Sequence, residues 1–239
     1  NYIYATGAEN YGDDLISGVG TAIINYSPGA KIYNNRIDKT GYHGIYLGQR
    51  ISGTEVSYNH ITNTLLSLAD GGAIYTGSYY DPPVQDFIRF NIIENAFGYT
   101  GGIKKSCTEK SLSNCRGGGE GIYLDERTSQ RVVENNTVIN ASKGIFLHWT
   151  TNNEIRHNTL YGNKNSQIWF SGKDQPRYRL QNNLLLDNIL YATEANQRTF
   201  TLAVTYNDLN FGYSDRNYFF NSYNNRNIYL LPISYLALD

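Results

Sequence analysis

The sequence predicts an all-β solenoid, because two short strand phrases recur along it and no helical periodicity appears. The first phrase reads Gly-Ile-Tyr-Leu-Gly from Gly44 to Gly48 and Ala-Ile-Tyr-Thr-Gly from Ala73 to Gly77. It returns from Gly121 to Asp125, from Gly144 to His148 and from Gln167 to Ser171. The second phrase is an apolar residue, two others, Asn, one other and an apolar residue. It sets Asn35, Asn59, Asn91, Asn136, Asn158 and Asn183 in one column, with a basal repeat of 22–25 residues. A coil of that length, with two or three short strands and tight corners, stacks as a parallel β-helix. Equivalent residues of successive coils then lie about 4.8 Å apart.

In the first phrase, alternation turns Ile45, Ile74, Ile122, Ile145 and Ile168 inward. The following column, Tyr46, Tyr75, Tyr123, Phe146 and Trp169, then points outward. In the second phrase the apolar residues face in. The asparagines sit at a corner, where Asn tolerates left-handed backbone and bonds to its stacked copy. Residues 1–239 are expected to form a single β-helix domain. With no Met in the chain, Asn1 is not a translation start, and a processed or excerpted piece of a longer protein is expected. No cap for the sheet edges is visible, so another chain or domain is expected to cover the ends. Beyond about Asn217 the phrases become irregular, as a last coil or the lead into a further domain.

A formal charge of -1 argues against nucleic acid or an anionic membrane as partner. Only 17% of residues are charged while 22 are Tyr, so the surface is polar but uncharged. Such a surface suits hydroxyl-rich ligands, since Tyr has a flat apolar face and a polar tip. No apolar run reaches the roughly 18 residues of a membrane helix. Cys107 and Cys115 share a Gly/Ser/Lys-rich stretch. A small disulfide between them fits a secreted or periplasmic protein, and two free thiols are the alternative. No cofactor or metal is expected, for no Cys or His pair lies at metal spacing.

The period breaks at one corner in two consecutive coils. The first insertion carries Leu68 to Gly72, and the second is the 97–120 loop. A smaller excess follows at Ser78 to Pro83, and Asp81 and Asp86 are expected on its rim. These walls flank a cleft along the outward aromatic column, where loops on a rigid scaffold carry function. Three carboxylates stand near it. Asp70 precedes one strand phrase, Asp125 ends the next, and Glu120 begins that same strand near the register of Gly72, hence near Asp70. His148 occupies the Asp125 column one coil later, about 5 Å away by strand spacing. Two carboxylates across a cleft are the minimum for glycoside hydrolysis, one as general acid and the other as nucleophile or base. Asp before Gly-Gly is also an ordinary turn residue, and Asp125 can equally cap a strand or pair with Arg127. Tyr75, Tyr123, Trp169, His148 and His43 are the expected sugar-binding side chains.

The phrases from Asp70 to Thr76, from Gly121 to Glu126, from Gly144 to His148 and from Asn152 to Asn158 resemble right-handed parallel β-helix repeat proteins. More narrowly they resemble secreted bacterial glycoside hydrolases of that fold, the β-xylosidase and α-L-fucosidase type. The resemblance covers about Gly18 to Asn221. It implies a carbohydrate substrate, with Asp70 and an acidic residue around Gly121–Asp125 as the catalytic pair; that residue is Asp125, or Glu120 by simple register. Two rivals remain. A polysaccharide lyase acting on an acidic glycan would use Lys104, Lys105, Arg116 or Lys143 to neutralise a sugar carboxylate. A non-catalytic carbohydrate-binding β-helix would use the aromatic column alone.

Overall fold

The computed structural model describes residues 1–7, 20–77, 82–98, 118–173, 179–204, 210–223 and 228–232. Cys107, Cys115, Lys104, Lys105, Arg116, Asp81 and most of the 97–120 loop lie outside these described residues. Every strand pairing among the described residues is parallel. The strands form three sheets of eight, eight and seven, and each coil gives one strand to each sheet. The protein is therefore an all-β parallel β-helix. Among the described residues there is no helix.

One eight-stranded sheet, here the site sheet, contains Ile45–Leu47, Gly71–Gly77, Gly119–Asp125, Lys143–His148, Ser166–Gly172 and Arg198–Val204 in that order. The seven-stranded sheet follows it in each coil, and the third sheet closes the coil. Inward aliphatics of all three form one core. Ile45, Ile74, Ile122, Ile145 and Ile168 are fully buried and in register, as the alternation predicts. Val56, Ile88, Val133, Ile155 and Leu185 face them from the second sheet, and Ile37, Ile61, Ile93, Val138 and Leu160 from the third.

The corner between the second and third sheets is sharp and carries a continuous buried asparagine ladder. Asn35, Asn59, Asn91, Asn136, Asn158, Asn188 and Asn217 each pass a side-chain N–H to the Oδ1 of the next. Each Oδ1 also accepts the backbone N–H of the asparagine one coil earlier. The left-handed backbone does not belong to the ladder asparagines themselves. It belongs to the residue before each: Asn34, Tyr58, Phe90, Asn135, His157, Asp187 and Arg216 all have φ between 51° and 56°.

Two expectations are corrected. Asn183 is not in this ladder; Asn188 takes that place, 30 residues after Asn158. Leu185-x-x-Asn188-x-Leu190 has the same pattern as Leu180-x-x-Asn183-x-Leu185, and the pairing of Leu185 with Ile155 decides between them. The coil between Asn158 and Asn188 is thus a further enlarged one. Asn183 belongs to a second internal column, where Asn153 bonds to its Oδ1 at 3.0 Å. That column contains the second correction. Asp86 is no rim residue: it lies in the strand Asp86–Arg89, fully buried, 2.6 Å from the equally buried Arg131. The ladder's amide positions are here occupied by opposite charges in register.

Candidate active site

The outer face of the site sheet gains its side chains through a break in alternation. Gly44, Ala73, Gly121 and Gly144 face the core, and so do the isoleucines that follow them. A Cβ on Gly121 would meet Val138 at 2.3 Å, and one on Gly44 would meet Ile61 at 2.7 Å. Two consecutive inward residues bend the strand. Glu120 and Lys143, before the bend, therefore share the outer face with Tyr123 and Phe146, after it.

Asp70 enters the face on left-handed backbone, φ 55°, held by its N–H donating to the Gly118 carbonyl at 2.9 Å. The two glycines after it have steric reasons. A Cβ on Gly71 would lie 2.8 Å from both His43 and Tyr42, and one on Gly72 would lie 3.0 Å from the Tyr123 Cβ. The Tyr42 hydroxyl donates to the Asp70 carbonyl at 2.9 Å. Burial and the charges of Asp70 and Asp125 push the Tyr42 hydroxyl up to about 12, so it stays a donor. Sequence reasoning missed Tyr42, whose only signal was its place beside His43 just before a strand phrase.

Asp125 sits at the end of its strand with three donors. Tyr75 Oη donates to Oδ2 at 2.8 Å, and the Glu126 backbone N–H donates to Oδ1 at 2.8 Å. His148 Nδ1 stands 2.8 Å from Oδ1. An ionised carboxylate only accepts, so Nδ1 carries the proton. Burial opposes ionisation of Asp125, but the bond and charge of His148 with the bonds from Tyr75 and Glu126 outweigh it and hold the carboxyl below its ordinary value.

Asp70 is shifted the other way. Its residue is open to solvent, yet its carboxyl lies against the wall of the site. Partial desolvation there and the negative charge of Asp125 raise it, against pulls from His148, Lys143 and the Tyr123 hydroxyl. The Tyr123 hydroxyl also stands 3.4 Å from His148 Nδ1. Tyr123 and His148 thus lie near both carboxyls, and the Asp125 charge reaches Asp70.

The structure does not leave every expected side chain open. Tyr123 points outward, but its ring is 3% exposed, stacked 4.7 Å from Phe146 and edge-on to Tyr75. Its polar tip, not its face, meets the site. His43 is buried, stacked 4.6 Å from Tyr75, with Nδ1 3.3 Å from the Gly72 N–H. Burial lowers it to about 3, so it is a neutral support behind Tyr75. Glu120 registers with Gly72 as expected, but it is 2% exposed and ion-paired to Lys143. Burial raises its carboxyl against the pull of Lys143. Trp169 is half-buried and flanked by cations. Among the described residues no three of His, Cys, Asp and Glu are grouped to hold a metal ion.

Residues 87–185 match the family model described as right handed beta helix region. The fold is that of a parallel β-helix repeat protein, and the matched segment is similar to the right-handed family. The matched segment takes in Glu120, Asp125, His148 and Trp169 of this β-helix, while Asp70, Tyr75 and His43 precede it. Comparison with curated proteins and with solved structures returned no match.

Proposed function

We propose that the protein is a glycoside hydrolase that cleaves a glycan or oligosaccharide lying along the outer face of the site sheet. Asp70 acts as general acid and Asp125 as nucleophile or base. The observation that carries this reading is Asp125 held by Tyr75, His148 and the Glu126 N–H, with the solvent-facing Asp70 within reach of its charge. Asp70 is raised partly by Asp125, while Asp125 is held ionised by its donors. Environments that push two neighbouring carboxyls apart assign the acid and the base. Glycoside hydrolysis needs two carboxyls flanking one glycosidic bond, and these two are near enough for the charge of one to act on the other. Asp70 faces solvent, where a leaving group departs and a proton returns. Tyr75 and His148 orient Asp125, and Tyr46, Tyr75 and Trp169, the half-buried members of the aromatic column, supply apolar surface for sugar rings. The lyase alternative needs a free cation beside the reacting unit; of the four cations named for it, Lys143 is engaged by Glu120, and Lys104, Lys105 and Arg116 lie outside the described residues.

The test is turnover by Asp70→Asn and Asp125→Asn on a panel of aryl glycosides and oligosaccharides. Each substitution is nearly isosteric and should cut kcat by about two orders of magnitude or more, while circular dichroism shows the fold intact. Wild-type turnover in both variants removes the pair from the reaction. An unsaturated, ultraviolet-absorbing product identifies a lyase instead.

A further inference from the structure

Four positions on the outer face, one per coil, share a register: Glu120, Lys143, Ser166 and Arg198. Glu120 and Lys143 neutralise one another. The Ser166 hydroxyl is consumed internally by the Ile168 carbonyl at 2.6 Å and by Thr201. Arg198 differs. Its guanidinium lies 5.8 Å from the Trp169 ring centroid and 5.1 Å from that of Tyr229. It makes no ion pair or side-chain hydrogen bond among the described residues. A guanidinium clamped between two rings is held in orientation before any ligand arrives, and its fork of donors fits a carboxylate or a sulfate. The protein as a whole is nearly neutral, so this cation is not part of a general positive field.

We infer that Arg198, with Trp169, forms a subsite for an anionic sugar unit, a uronate or a sulfated residue, of the glycan bound along the site sheet. This rests on the hydrolase reading for the identity of the chain that passes here. Arg198 lies three strands beyond the strand of Asp125, about 14 Å along the stack by strand spacing. That is too far to neutralise the reacting unit and far enough to hold another unit of the same chain. The ring of Trp169 supplies apolar contact and the guanidinium reads the charge. A neutral unit would leave those donors without a charged acceptor, which is how a polar site discriminates.

The test measures binding, not turnover, by titrating the protein with three oligosaccharides of equal length: an oligogalacturonate, a sulfated galactan oligomer and a xylo-oligosaccharide. The wild type should bind at least one anionic probe about ten-fold or more tighter than the neutral one, as expected for hydrogen bonds to a charged group. The preference should shrink as salt rises. Arg198→Gln, which keeps length and polarity, should erase it. Arg198→Lys should keep only part, since an ammonium lacks the fork. The anionic probe favoured distinguishes carboxylate from sulfate. Equal affinity for all three probes, or an anionic preference that survives in Arg198→Gln, overturns the proposal. Circular dichroism and melting of Arg198→Gln check that the coil is intact, and Arg198→Lys provides the reading if it is not. Loss of turnover in the Asp70 and Asp125 variants is separate from this outcome, so the two proposals fail independently.

Discussion

Replacing Asn136 by Ala tests whether the buried ladder, more than the aliphatic core alone, holds the coils in register. Asn136 is 1% exposed, in the coil that carries Asp125. Its Oδ1 accepts the Asn91 backbone N–H at 3.0 Å and the Asn91 side-chain amide at 3.0 Å. Its own amide donates to the Ile88 carbonyl at 2.9 Å and to Asn158 Oδ1 at 3.0 Å. After the change, Asn158 Oδ1 still receives the backbone N–H of residue 136, and the Asn91 amide still reaches the Val56 and Arg89 carbonyls. The Asn91 backbone N–H and the Ile88 carbonyl each lose a partner in a dry corner. At about 1–3 kcal/mol for each buried group left short, the loss is roughly 2–6 kcal/mol. That is a large part of the 5–15 kcal/mol typical of a folded domain. Urea unfolding followed by tryptophan fluorescence reads it, because Trp149 and Trp169 sit in the two coils that follow. The midpoint should fall with the slope unchanged. A loss below about 1 kcal/mol at constant slope refutes the reasoning, since the freed groups must then have found other partners.

Removing the Tyr75 hydroxyl with Tyr75→Phe takes a donor from ionised Asp125, so the Asp125 pKa rises. If Asp125 must be ionised to act, the acid limb of kcat/KM should move to higher pH; a limb that does not move separates Tyr75 from the carboxylate's chemistry. Glu55 is held down at about 2 by hydrogen bonds from Lys31 and Arg89. A depressed acid stabilises the fold above its unfolded pKa near 4.5, and the contribution is lost as pH falls from there towards 2. Urea midpoints of Glu55→Gln should therefore depend less on pH than those of the wild type across that window, and parallel curves would rule the linkage out.

The repeat was legible because burial and stacking both act at a fixed spacing. The inward isoleucines, the corner asparagines and the insertions at one corner all follow from counting residues. So does the contact of Asp125 with His148, which needs only that two strand ends align. Register failed at Asn183, where two overlapping copies of one degenerate phrase fit equally well. The choice was made by a contact between Leu185 and Ile155 that pattern does not encode. The Asp86–Arg131 pair was invisible for a related reason. Charge in a sequence reads as surface, and only the coil geometry reveals that the two charges meet inside. The role of Tyr123 was half legible. Alternation set its direction outward, but not the neighbouring rings that cover its face.

A strict repeat cannot build an acid–base pair, because identical residues in successive coils would set like charges about 4.8 Å apart. The site depends on departures from repetition within single columns. The column of Asp125 reads Gly77, Asp125, His148 and Ser171, so the carboxylate has a glycine on one side and a donor on the other. The column of Glu120 reads Gly72, Glu120, Lys143, Ser166 and Arg198: an adjacent pair of opposite charges between two small residues, then a single cation. A second carboxylate at position 77 would raise Asp125 by like-charge repulsion and undo the asymmetry with Asp70. The fold thus supplies a ruler of equal steps. The chemistry comes from which steps the sequence leaves empty, which it charges, and where the strand bend brings both onto one face.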